Sequence, residues 1–124
     1  MSFLASDPHR HITGKPAGNG HCVAFVVACT DLGPSTTWRR GDPVIGSGAA
    51  PLTAIATFDR NGRYASRTDR SSHCAILLAE HSDGSLTVLD QWLGQPVHER
   101  IIRNRAGAGD AANDASRFYV VEIA

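Results

Sequence analysis

Apolar residues in this chain fall into short runs separated by polar, Gly- and Pro-rich stretches. The first run is Cys22-Val23-Ala24-Phe25-Val26-Val27-Ala28-Cys29, entered through Gly18-Asn19-Gly20-His21 and left through Asp31-Leu32-Gly33-Pro34. Its β-branched valines also suit a strand, but the Gly-rich approach and the Gly-Pro stop predict one helix over residues 20–30. Apolar on nearly every side, that helix is expected inside the domain. Residues 1–19 read as an irregular lead-in and 31–50 as a long connection. Strand patterns dominate from there. Thr53–Phe58 is followed by the turn Asp59-Arg60-Asn61-Gly62 and a polar loop, Arg63–Ser72. His73–Ala79 and Ser85–Gln91 flank Ser82-Asp83-Gly84 and predict a hairpin. Pro96–Arg103 and Arg117–Ile123 predict two more strands, with a Gly/Ala-rich loop over 104–116. One helix followed by an antiparallel meander is an α+β pattern.

Length fits a single domain, residues 1–124, that can bury a core without staples. Lys and Arg number 12 and Asp and Glu 12, giving a formal net charge of +0. That balance argues against a nucleic-acid or polybasic membrane surface as the main partner. No apolar stretch approaches the ~20 residues of a membrane span. The first residues lack a basic region followed by a long apolar run, so no Sec signal peptide is expected. Cys22, Cys29 and Cys74 form an odd set with no C-x-x-C pair, which does not suggest a disulfide framework.

Three places hold candidate chemistry. Cys22 opens the helix, where unpaired backbone N–H groups and the positive end of the dipole favour a thiolate. His73 heads an apolar strand, and Asp90 ends the next one. Together they make a nucleophile, a proton shuttle and an acid that orients the imidazole. Neighbouring strands lie about 4.8 Å apart, so Asp90 can face His73 across the ladder if the register allows. The Cys22 N–H would supply one oxyanion donor, with Asn19 or His21 as candidates for a second. Each residue alone has a blander use: Cys22 as a small core residue, His73 at a strand edge, Asp90 in a turn or ion pair. Cys29 and Cys74 fit the core, Cys74 pointing away from His73 by strand alternation. His9, His11 and His98 read as surface residues. Zinc is a rival use of His21, Cys22, His73, Cys74 and His81, but the spacing of structural zinc sites is missing, so no metal and no cofactor is expected.

At these residues the chain resembles the papain-like cell-wall hydrolases of the CHAP and NlpC type. Gly20-His21-Cys22-Val23 resembles the Gly-Gln-Cys motif that opens their buried helix. His73-Cys74-Ala75-Ile76 resembles their His-Val-Ala-Ile strand, and Leu89-Asp90-Gln91-Trp92 resembles the end of the strand after it. His21 replaces Gln, Asp90 replaces Glu, and Trp92 stands where Asn is frequent. With Thr53–Phe58, Gly62-Arg63-Tyr64, Trp38-Arg39-Arg40-Gly41 and Tyr119-Val120-Val121-Glu122, the chain is similar to small bacterial amidase-like proteins associated with type VI secretion and peptidoglycan degradation.

The resemblance implies a papain-like fold, with the helix that carries the nucleophile packed on an antiparallel sheet. It implies a cysteine amidase or peptidase that cuts a peptidoglycan stem peptide or cross-link through a thioester. Trp38, Tyr64, Trp92 and the Arg63–Arg70 loop would line the cleft. Delivery to a target-cell periplasm and a cognate immunity protein are implied by resemblance alone. A non-catalytic binding module and a cysteine acyltransferase on the same fold are the alternatives.

Overall fold

In a computed structural model of the protein, which describes residues 2–123, six strands form one antiparallel sheet in the order β1-β6-β2-β3-β4-β5. The strands are β1 (Trp38–Pro43), β2 (Ala54–Ala56), β3 (Cys74–Glu80), β4 (Leu86–Trp92), β5 (Gln95–Ile102) and β6 (Tyr119–Ile123); the helix, α1, spans Cys22–Cys29. The architecture is the expected α+β one, a helix on an antiparallel sheet. No helix among the described residues is long and apolar enough to cross a membrane.

The sheet is covered on both faces. Phe25, Val26 and Cys29 of α1 pack with Ala54, Ala56, Cys74, Ile76 and Leu89 on one side. Val44, Ala115 and Phe118, from outside the strands or their ends, pack with Ile55, Ala75, Leu77, Leu86 and Val88 on the other. This explains why Cys74-Ala75-Ile76-Leu77 runs apolar without alternating: successive side chains enter two different cores.

Several expectations are corrected. The connection 31–50 contains the edge strand β1, which pairs with β6 (Arg39 opposite Glu122, Arg40 opposite Val121). Its Arg-Arg-Gly-Asp-Pro sequence is polar because an edge strand has one flank in solvent. Gly41 is required there, since a Cβ would lie 2.7 Å from the Val120 carbonyl oxygen. The helix is shorter than 20–30 and not enclosed: Ala28 is exposed and Val23 and Val27 only half-buried. The lead-in docks through Ala54 N–H to Phe3 O (2.8 Å) and Ala5 N–H to Leu52 O (2.8 Å), and Ser6 N–H caps the helix end at Cys29 O (2.8 Å). His11 is not a free surface residue, since its ring meets Phe25 edge-on at 5.7 Å. Two single-turn 3₁₀ helices, Ala111–Asn113 and Ala115–Arg117, interrupt the loop over 104–116.

Candidate active site

Strand alternation at the end of β4 organises the site. Asp90 and Gln91 are adjacent and fully buried, so they serve opposite faces of the sheet. Toward α1, Gln91 grips the turn that leads into Cys22. Its Nε2 donates to Ala17 O and His21 O (both 2.8 Å), and its Oε1 accepts from Ala17 N–H (2.9 Å). Gly18 in that turn has φ +55, and a Cβ there would meet Ala24 Cβ at 2.9 Å. Toward the other face, Asp90 Oδ2 accepts from His73 Nε2 at 2.7 Å and from Arg100 Nε at 2.6 Å. His98 Nε2 lies 3.1 Å from Asp90 Oδ1.

His73 sits just before β3, where Thr57 fixes its backbone. His73 N–H donates to Thr57 Oγ1 (2.9 Å) and Thr57 N–H donates to His73 O (2.9 Å). Because Nε2 is held by Asp90, Nδ1 is the nitrogen left for the thiol. Cys22 and His73 line one cleft of about 560 Å³, with His21, Arg67, Trp92 and Arg100 among its other walls. The Cys22 Sγ is 3.3 Å from Tyr64 Oη, and the Tyr64 ring rests on Trp38 at 5.1 Å.

These neighbours set the proton affinities. The Cys22 thiol is lowered to about 4 by hydrogen bonding from the Cys74 thiol and by the His73 imidazole, against the cost of burial. Burial pulls His73 down, but its hydrogen bonds to Asp90 and Cys22 outweigh that and raise it to about 9. Burial also opposes ionisation of Asp90, yet His73 and Arg100 keep its carboxyl below the usual range. Both shifts favour a Cys22 thiolate beside a His73 imidazolium, the state a nucleophilic cysteine needs. Cys29, buried away from any such partner, is pushed up to about 11.

Of the expected site residues, Cys22, His73, Asp90, His21, Tyr64 and Trp92 come together here. Asn19 is not among the residues that line the cleft; its side-chain oxygen accepts from His21 N–H (3.1 Å) and shapes the turn. Trp38 is wholly buried behind Tyr64, its Nε1 donating to Gly33 O (3.1 Å), so it lines no cleft. Arg63 sits at the Asp59–Gly62 turn, bridged to Arg39, while Arg67 and Arg70 do reach the cleft. Cys74 enters the helix-side core as alternation requires, but Cys22 packs against that core, so the two thiols meet.

Three residues escaped the sequence reading. Gln91 holds the turn. His98, read as a surface residue, instead faces Asp90 in register across the β4–β5 ladder. Arg100, two residues further along the same face of β5, donates Nη1 to Asn113 Oδ1 (3.1 Å) and Nη2 to Ala112 O (3.0 Å). It also lies 5.3 Å over the Trp92 ring. The x-His-x-Arg alternation in β5 was the available signal, but only the register makes it meaningful. Among the described residues, no set of three His, Cys, Asp or Glu side chains gathers to hold a metal ion.

A family model described as domesticated amidase effector 2 matches residues 3–121. Domesticated amidase effector 2 of Ixodes scapularis is 38% identical over 108 residues, covering 82% of this chain and 70% of that protein. The solved structure of type 6 secretion amidase effector 2 (Tae2) superposes with a TM-score of 0.80 at 26% identity, covering 98% of this chain and 94% of the other.

Proposed function

The chain belongs to the domesticated amidase effector 2 family, and from that premise we propose that it is a cysteine amidase hydrolysing an amide bond of bacterial peptidoglycan, with Cys22, His73 and Asp90 as its machinery. The observation that carries this reading is the chain of contacts at the cleft. Asp90 Oδ2 holds His73 Nε2 at 2.7 Å, and the other ring nitrogen is left to a thiol whose proton affinity is lowered to about 4.

The steps follow from that arrangement. The Cys22 thiolate attacks the amide carbonyl, and the C=O electrons move to oxygen. The Cys22 N–H, at the start of α1, faces the developing oxyanion. Collapse expels the amine, which takes its proton from His73 Nδ1, and leaves a thioester on Cys22. Neutral His73 then removes a proton from water, which attacks the thioester and releases the acid and the thiolate. Asp90 keeps the imidazole turned and stabilises each imidazolium. Tyr64 Oη, 3.3 Å from Sγ, steadies the thiolate between turnovers.

As an effector, the protein would act on a wall outside the cell that makes it. A producing cell with its own peptidoglycan would need an immunity protein seated on the cleft.

Mass spectrometry of purified peptidoglycan after incubation tests the reading. Wild type should release new fragments whose masses name the bond, and Cys22→Ala should release none. Identical fragments from Cys22→Ala, or none from either folded protein, would overturn the assignment.

A further inference from the structure

Among the described residues, three arginines, Arg67, Arg70 and Arg100, line the cleft, and no aspartate or glutamate does. Arg100 is occupied by Asp90, Asn113 and Ala112. The other two are not so engaged. Arg70 Nη1 approaches Asp110 Oδ2 only to 3.7 Å, with both side chains largely in solvent, a weak pairing that an incoming anion can replace. Among the described residues, Arg67 forms no close ion pair; Asp69, two residues on, feels its charge only through a longer-range attraction.

The backbone beneath these arginines is built into a defined shape. Ser66 and Arg70 both adopt left-handed conformations, at φ +53 and +70. The Ser72 hydroxyl clips the loop by accepting from Arg67 N–H (2.5 Å) and donating to Arg67 O (3.0 Å). Ala112 N–H donates to Arg70 O (3.0 Å), tying the loop to the 111–113 segment across from it in the chain. Two guanidiniums are thus carried on a fixed loop at the cleft that holds the nucleophile. Such forks match a carboxylate with paired N–H donors.

We infer that Arg67 and Arg70 form a carboxylate subsite, so that the favoured substrate is a peptide carrying a free carboxylate next to the scissile amide. The inference rests on the amidase reading and deepens it. Stem peptides exist chemically as free acids or as carboxamides at their side carboxyl groups, and this subsite would distinguish the two.

The test uses a matched pair of synthetic stem peptides, one with a free carboxylate beside the scissile amide and one with a carboxamide. Wild type should favour the acid by about tenfold in kcat/KM, and added salt should erode that preference as it screens the exposed arginines. The double variant Arg67→Gln/Arg70→Gln should bring the ratio close to one. Arg60→Gln, in the exposed Asp59–Gly62 turn away from the cleft, should keep the wild-type ratio. Calorimetric binding of both peptides to the Cys22→Ala protein gives a readout independent of turnover, and the acid should bind more tightly. Equal cleavage or equal binding of the two peptides, or a preference that survives the double variant, would overturn the subsite while leaving the amidase assignment standing. Failure of wild type to cut peptidoglycan at all would instead sink the amidase reading, and the subsite with it.

Discussion

On the proposed mechanism Cys22 passes its proton to His73 before any substrate arrives, and that transfer has a measurable pH signature. With the thiol at about 4 and the imidazole at about 9, the working ion pair exists between those values. Below the lower limit the nucleophile is protonated; above the upper one His73 has lost the proton that the leaving amine needs. kcat/KM on a peptide amide should therefore be bell-shaped with limbs near those two values. Arg100 enters the same equilibrium through Asp90. Arg100→Met removes a positive charge 2.6 Å from the carboxylate, which then holds the His73 proton more strongly. The alkaline limb should move upward while kcat falls by about tenfold or more as the imidazole loses its fixed partner. Arg100→Lys should restore the limb but not the rate, since an ammonium cannot also span Ala112 and Asn113. An alkaline limb that stays put in Arg100→Met would reduce Arg100 to a structural prop.

At the level of elements, β4 does two jobs with consecutive residues. Asp90 holds His73 on one face of the sheet, and Gln91 holds the turn that leads into Cys22 on the other. The 17–21 turn has its own bonds, Gly20 N–H to Ala17 O and His21 N–H to Asn19 Oδ1, but with no side-chain cap at His21 it is Gln91 that ties it to the sheet. Gln91→Leu leaves Ala17 N–H without its partner and takes one donor each from Ala17 O and His21 O, which keep Gly20 N–H and Ala24 N–H. The expected cost is about 1–3 kcal/mol, read as a lower denaturant midpoint at unchanged slope. Iodoacetamide labelling of Cys22 at mildly acidic pH should slow in the same variant, because the helix start no longer holds the thiol against His73. A stability loss with unchanged labelling would show that Gln91 supports the fold without positioning Cys22.

For the whole molecule, the buried ion pair links stability to pH in a direction that proton counting fixes. Near neutrality the folded pair carries one proton, on His73, and the unfolded chain carries one, on Cys22. Stability from the pair is then flat in pH. As pH falls below the ordinary His value of 6.5, the unfolded chain takes a second proton, while the folded pair resists until about 4. Wild type should lose stability across that window. Cys22→Ala removes the thiolate, and Asp90 still favours a charged His73, so the variant should stay flat there by thermal melts at matched ionic strength. Parallel losses in both proteins would mean that other carboxylates, not the pair, govern the acid limb.

The sequence by itself determined the local elements and the residue types of the site. The Gly-rich approach and the Gly-Pro stop around the apolar octet favoured a helix over a strand there, and the helix begins at Cys22. Gly84, at φ +83, closes the expected hairpin between β3 and β4. His73 and Asp90 sit at strand ends because polar residues interrupt their apolar runs there. Periodicity and turn chemistry are local, so they are legible. Tertiary structure alone decided that β6, last in the chain, inserts between β1 and β2. It also decided that polar Trp38–Pro43 is a strand, that Trp38 is core, and that His98 and Arg100 face Asp90. Those outcomes depend on strand order and register, set by contacts between residues far apart in sequence. A one-residue slip would send Asp90 to the helix face and Gln91 to the cleft, with the same sequence and no site.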